Sequence, residues 1–293
     1  MKRAISRSAF LPSCLPAFLP SCLSAFLPAL LLFCLPALTN SCSPTVQQDG
    51  KKVLIYTKNG KGFIHDNIQA SVDMLTALCE DNEIAFDVSE DPSLFTEDNL
   101  AKYDALIFTN TNNDAFDNDE QRLTFKRYIQ AGGGFVGIHS ACGSERHWPW
   151  FWEMLGGTFV RHCPYQEFDV KITDPNHPST EFFAGDWKWE DEGYYLHHLN
   201  PDIHVLLSHD MTTIEDKGKD DYPGTIFGDL YPGAWCHEFD GGKEWYTSYG
   251  HNIKHYTDPD FRQHVLGGIL WTIDKPAVDF AKASAVEVFL NGE

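Results

Sequence analysis

Short, unbroken apolar runs separated by segments of helical period constrain this chain more than any other feature. Val53-Leu-Ile-Tyr56, Ala105-Leu-Ile-Phe108 and Phe135-Val-Gly-Ile138 show no polar alternation, as expected of strands covered on both faces. Ile84 to Val88 reads as a further strand. Between these runs, Ile68, Val72, Leu75 and Leu78 fall on one face of a helix that Asp66 can cap. Asp117 with Glu120 makes a capping-box start to a second helix, which runs through Ile129 and stops at Gly132-Gly-Gly134. Strands alternating with helices predict an α/β domain built on a mainly parallel sheet.

The second half is less regular. Trp148 to Leu155 reads as a short helix closed by Gly156-Gly157, and Asp258-Pro259 opens a last helix carrying Phe261, Val265, Ile269 and Ile273. Phe168–Ile172, His204–Leu207, Ala234–Phe239 and Trp245–Ser248 are the predicted strands. No Pro/Ser-rich linker interrupts residues 51–274, so they read as one domain. Residues 275–293 read as a C-terminal extension.

The first 42 residues stand apart. They hold Lys2, Arg3 and Arg7, no acidic residue, and an apolar run from Phe26 to Leu38 broken by Pro28 and Pro36. This is the layout of a secretory signal, and its prolines argue against a stable membrane-spanning helix. The unit AFLPSCLP at Ala9 recurs as AFLPSCLS at Ala17 and AFLPALLL at Ala25, a local tandem duplication. Leu38-Thr-Asn-Ser-Cys42 resembles a loose lipobox, with residues 43–50 as a polar tether. Cys42 is then the candidate lipidated residue, and plain cleavage with release into the periplasm is the alternative. Either route predicts a cell-envelope location, with the membrane reached only through a lipid anchor.

Outside that segment, 19 basic residues face 42 acidic ones. A surface so negative repels phosphate backbones, which argues against nucleic acid and suits a neutral ligand such as a sugar. Cys79, Cys142, Cys163 and Cys236 are widely spaced without a CxxC pair, the pattern of buried free thiols. Gly132-Gly-Gly134 precedes a strand instead of opening a helix, so no nicotinamide cofactor is indicated.

Ligands of open parallel sheets bind beyond the carboxyl ends of the strands. That rule selects three histidines from thirteen. His65 follows the first strand, His139 ends the fourth at a Gly-Ile-His-Ser-Ala turn, and His251 follows the Trp245–Ser248 strand. Three imidazoles on separate loops at one edge could converge on a metal or a substrate. His162 could reach the rim or cap a loop. Asn110 and Asn112 could bind hydroxyls or form turns, and Trp148, Trp150, Trp152, Trp187, Trp189 and Tyr194 could stack on sugar or simply pack. His237 shares a strand face with Trp235 and Phe239 and reads as a hydrogen-bonded core residue.

The motifs Gly133-Gly-Phe-Val-Gly-Ile-His-Ser-Ala141, Trp187–Tyr194 with Asp191-Glu192, and Trp235-Cys-His-Glu-Phe-Asp-Gly-Gly242 running on to Tyr249-Gly-His251 resemble those of the ThuA-like, trehalose-utilisation family. Asp258-Pro-Asp-Phe and Gln263-His-Val-Leu-Gly-Gly268 extend the likeness, which spans roughly residues 52–274. The resemblance implies a flavodoxin-like, class I glutamine amidotransferase-like three-layer sandwich. In that fold a sharp strand-to-helix turn presents a nucleophilic cysteine. Here His139 takes that place and Cys142 falls three residues late, so glutaminase chemistry is not expected.

The resemblance also implies a role with disaccharides related to trehalose, or their oxidised keto forms. The leading expectation is an enzyme with His139 and Glu192 as acid/base residues and His65 and His251 in support. Ser140, Asn110, Trp148, Tyr194 and His162 are then candidate substrate contacts. Three histidines with an open fourth position also suit catalytic zinc, on His65, His139 and His251, although no tight HxH or HExxH element is present. A non-catalytic sugar-binding lipoprotein and a metal-dependent hydrolase remain the alternatives.

Overall fold

In a computed structural model of the chain, residues 50–218 and 228–290 are described. The signal-like segment, Cys42 and nearly all of the tether lie outside the described residues. The first half contains β1 (Lys52–Tyr56), α1 (Ile68–Asp81), β2 (Ala85–Ser89), the single turn α2 (Glu97–Leu100), β3 (Ala105–Thr109), α3 (Asp119–Gln130) and β4 (Gly134–Ile138). There follow α4 (Pro149–Leu155), β5 (Thr158–His162), β6 (Gln166–Ile172), β7 (Trp187–Asp191), β8 (Tyr194–His197) and β9 (His204–Asp210). The chain returns through β10 (Leu230–Phe239) and β11 (Gly242–Thr247) to α5 (Pro259–Ile273).

Nine strands form one sheet in the order β2-β1-β3-β4-β11-β10-β9-β6-β7. From β2 to β11 every pairing is parallel; from β11 to β7 every pairing is antiparallel. β5 and β8 make a separate antiparallel pair. Within the parallel half, β3 and β4 are buried at every position, which accounts for their unbroken apolar runs. Alternate residues serve opposite layers. Phe108 and Phe135 meet Phe125 of α3 and Phe151 of α4, while Trp245 packs against His264 and Gly268 of α5. Helices cover both faces, giving the three-layer α/β sandwich of the flavodoxin and class I amidotransferase type.

The sequence expectations hold closely for β1, β3, β4, α3, α4 and α5. Two helix caps shift by one residue. Asn118, not Asp117, accepts from the Gln121 N–H at the start of α3, and Asn67, not Asp66, precedes α1. Asn67 spends its side chain elsewhere, donating to the carbonyls of Gly250 and His251. The segment Trp187–Tyr194, which is not among the expected strands, forms β7 and the start of β8. In β7 Trp187, Trp189 and Asp191 are buried and Lys188 and Glu190 exposed, a two-residue period obscured by the tryptophans at its buried positions. β5 has no counterpart among the expected strands. The C-terminal extension is strapped along α3: Asp279 N–H donates to Ala131 O, Arg127 to Ala285 O, and Gln130 Oε1 accepts from Ser284 and Ala285. The four cysteines outside the signal-like segment are free and buried.

Candidate functional site

The carboxyl ends of β1 and β4, and the loop after β11, deliver three imidazoles to one place. Ring centroids of His65 and His139 lie 4.8 Å apart, those of His65 and His251 5.6 Å, and those of His139 and His251 5.4 Å. They sit at a cavity of about 330 Å³ whose walls include His65, Ser140, His162, Glu192, Tyr194 and His251, a volume at the small end of small-molecule sites. Phe63, Asn112, Gly143, Arg146 and Phe159 complete the walls.

His139 forms the apex of a tight turn with φ at +53°, a left-handed conformation that costs a non-glycine residue on the order of 1–3 kcal/mol. Asn110, Asn113 and Glu145, on neighbouring turns, are also left-handed. The strain at His139 resembles that of a nucleophile elbow, yet the side chain is completely buried and is not itself part of the cavity wall. Its Nδ1 lies 2.8 Å from Ser248 O and its Nε2 2.7 Å from Tyr194 Oη. A carbonyl can only accept, so Nδ1 carries the proton and Nε2 accepts from the tyrosine. Burial, reinforced by His65, pushes the His139 pKa well below its ordinary value, so the ring is neutral. Tyr194, raised well above its ordinary value by burial, keeps its proton. His139 therefore reaches the cavity through Tyr194.

His65 is likewise neutral. Burial and then the nearby His251 push its pKa down to about 4, and its Nδ1 lies 3.2 Å from Ser140 Oγ. Glu192 follows β7 and turns both carboxylate oxygens toward imidazoles. Oε2 lies 3.2 Å from His251 Nδ1 and Oε1 3.5 Å from His162 Nδ1. The first is a close charge contact without hydrogen-bond alignment. The Nδ1 of His162 donates to Cys163 O at 2.7 Å.

The loop bearing His251 is braced from below. Asp191 accepts from Gly250 N–H, Trp189 Nε1 and Glu192 N–H. Burial outweighs these three hydrogen bonds and carries its pKa up to about 7. Asn110 does not reach the cavity. It donates to Tyr256 Oη, which in turn donates to Gly250 O, so it braces the same loop while Asn112 takes the position on the wall. Trp148 is also corrected: it is wholly buried among Phe116, Phe125, Trp150 and Phe151, a core residue with no path to a ligand. Trp187 and Trp189 pack against each other inside the sheet. His237 donates to or accepts from Met154 O alone, and carbonyl chemistry makes it the donor, in line with a core histidine. Cys142 is buried against Tyr246 Oη, its pKa pushed up to about 12 by burial, so no thiolate faces the cavity.

Sequence reading missed Phe63, Gly143, Arg146 and Phe159. Arg146 lies only seven residues beyond the His139 apex, and its charge in an acidic chain was an available signal. Phe159 sits in the unrecognised β5 and had none.

His65, His139 and His251 each offer a nitrogen, all within 4.8 Å of one another, and two of the rings are held neutral, as a metal requires. The cluster is compatible with metal coordination. Tetrahedral bonds of about 2.1 Å place donors only about 3.4 Å apart, so the rings would have to draw inward, and His139 Nε2 would have to give up Tyr194.

Fold and site together define an α/β sandwich of the class I amidotransferase type with a cluster of histidines at its strand ends. The chain belongs to the trehalose-utilisation (ThuA) family, whose profile matches residues 52–272. A ThuA-like protein from Bacteroides uniformis is 22% identical, covers 78% of this chain and 94% of its own, and superposes with a TM-score of 0.63. A ThuA-like protein from Parabacteroides merdae is 19% identical over 77% of this chain and 90% of its own, with a TM-score of 0.59. A cytoplasmic protein of Salmonella typhimurium LT2, 16% identical, covers 76% of this chain and all of its own with a TM-score of 0.51. These likenesses show the shared fold. Among curated proteins none matches the chain. No helix of the described residues is long and apolar enough to cross a membrane.

Proposed function

We propose that this protein is a carbohydrate-processing enzyme of the cell envelope that performs acid/base chemistry on a sugar, disaccharide or keto-sugar held in the histidine-lined cavity. The observation that carries this reading is Glu192 on the cavity wall, with one imidazole against each carboxylate oxygen. Glu192 and His251 form the proton-exchanging pair: one accepts a proton from a sugar hydroxyl or a carbon beside a carbonyl, and the other returns one to an oxygen. The expected pairing of His139 with Glu192 is revised here. A ring as buried as His139 is a poor proton acceptor, so we assign it a positioning role. By accepting the Tyr194 hydrogen bond it turns the phenol lone pairs toward the cavity, where they can accept from a sugar hydroxyl. Ser140, His162 and Asn112 supply further polar contacts.

The test is product analysis after incubation with a panel of disaccharides and their keto derivatives. Wild type should convert at least one, and Glu192→Gln should lose turnover by about 10²–10⁴-fold while unfolding at the wild-type temperature. Binding by calorimetry without any product would replace the enzyme with a sugar-binding protein. The second reading, a metal-dependent hydrolase, draws on the three-histidine cluster. Zinc on His65, His139 and His251 would polarise a carbonyl or lower the pKa of bound water. Near-stoichiometric zinc in protein purified without chelator would favour it, and its absence would count against it. The lipid anchor at Cys42 is tested separately by mass spectrometry of the membrane fraction.

A further inference from the structure

We infer that the cavity selects a carbohydrate carrying a carboxylate, such as a uronic or aldonic acid unit, and that Arg146 is the residue that selects it. This deepens the carbohydrate reading above and rests on it. Arg146 is the one lysine or arginine among the residues lining the cavity. Arg122, Arg127 and Arg161 each pair with a carboxylate; Arg146 appears in no ion pair of the described residues, although acidic groups outnumber basic ones almost two to one.

Its guanidinium is held nonetheless. Nε donates to Gly143 O at 3.0 Å, one terminal nitrogen to Phe159 O at 3.4 Å, and the other to Asn112 Oδ1 at 3.3 Å. The Phe159 ring lies under the cation, 5.5 Å from its centre. All three acceptors are neutral, so they fix the group in place without cancelling its charge. Gly143 makes the arrangement sterically possible: a Cβ there would stand 2.5 Å from Asn112 Oδ1 and 3.0 Å from the Arg146 nitrogen. Asn112 is anchored in turn by its Nδ2, which donates to Phe63 O. Three of the five guanidinium N–H groups are thereby used. Two remain, one on each terminal nitrogen, the number a carboxylate accepts when it binds in bidentate fashion.

Charge sets the class of anion. A single cation balances a single negative charge, and the same cavity holds Glu192. A phosphate monoester, at nearly two negative charges, would face both Glu192 and the field of a strongly acidic protein with one guanidinium to offset it. A carboxylate on the sugar, remote from the carbon at which Glu192 acts, is matched by Arg146 alone. Distinct ends for recognition and for chemistry would also fix which way round the sugar enters.

Calorimetry with D-glucuronate and D-galacturonate against D-glucose and D-galactose tests this. The acids should bind at least about tenfold more tightly to wild type, and the preference should shrink as salt is raised. Arg146→Gln should bring the acid-to-neutral ratio to about one, and Arg146→Lys, a point charge without the fork, should give an intermediate ratio. Arg146 is solvent-facing, so these variants should unfold as wild type does. Equal binding of acids and neutral sugars by wild type, or a preference that survives Arg146→Gln, overturns the inference and leaves the carbohydrate reading standing. Binding of none of the four sugars also overturns this inference, and the carbohydrate reading is then decided by the disaccharide and keto-sugar panel above.

Discussion

The two halves of the sheet contribute to the cavity in different ways. The parallel half, β2-β1-β3-β4-β11, presents His65, His139 and Ser140 from strand ends, where the fold always opens a crevice. The antiparallel half and the β5–β8 pair present Glu192, Tyr194, His162 and Phe159, which wall that crevice and supply its carboxylate. In the parallel half the chemistry is inherited from the architecture, whereas on the other side it depends on how hairpins of this particular chain pack back over the strand ends. A carboxylate can be taken from such a hairpin, or added to it, without disturbing the strands beneath. The antiparallel side thus supplies the carboxylate of the cavity, and the connection after β4 supplies its cation, Arg146.

The largest effect that could break this division concerns Trp148, which links the turn after β4 to the aromatic core under α3 and α4. Trp148→Ala should cost about 3–5 kcal/mol of stability, measured by denaturant unfolding, while the protein that remains folded keeps its ligand affinity. A loss of affinity larger than the loss of stability would mean that the parallel core also shapes the cavity.

A smaller effect should separate the halves by pH. His65, set by the parallel half, and His255, in the loop after β11, are both pushed down to about 4 by burial from an ordinary 6.5. The unfolded chain takes up their protons first, so the stability they contribute is complete above about pH 6.5 and is lost as pH falls toward 4. Asp191, at the end of β7 and raised to about 7, acts with the opposite sign: the folded state keeps its proton longer, and stability declines as pH rises from about 4 through 7. Denaturation midpoints across this range should fall less steeply on the acid side in His65→Asn than in wild type. Identical slopes would remove His65 from the set of buried neutral rings.

The smallest effect compares two asparagines two residues apart. Asn112→Ala should weaken ligand binding by up to about tenfold, by releasing Arg146, and should change stability by less than about 1 kcal/mol. Asn110→Ala should do the reverse, costing about 1–2 kcal/mol through the buried hydrogen bond to Tyr256 Oη that it removes, with affinity nearly retained. Calorimetry and thermal unfolding on both variants would sharpen the boundary between wall and brace, and swapped outcomes would erase it.

Much of the parallel half was legible because burial on both faces writes itself into consecutive residues. β3 and β4 are buried at every position, and α5 announces itself with Asp258-Pro259 and its capping carboxylate. The histidines of the site were read from the strand-end rule, and Glu192, Tyr194 and His162 line the cavity beside His65 and His251. Arg146 and Phe159 were not read, since a single arginine after a turn and a strand without apolar continuity carry little local signal. Trp148, close to the His139 turn, and Asn110, after the third strand, were candidate ligand contacts, and position in the sequence does not say which way a side chain points.

The sequence by itself determined the class of fold and the neighbourhood of the site, because hydrophobic period, turn residues and strand ends are local properties that survive in a one-dimensional string. Only the tertiary structure decided that His139 sits behind Tyr194, that Glu192 stands between two imidazoles, and that Arg146 faces the cavity without an acidic partner among the described residues. Those facts depend on hydrogen-bond geometry and burial between residues up to 109 positions apart, as in the contact of His139 with Ser248. Such partners are chosen by packing, which no local pattern records.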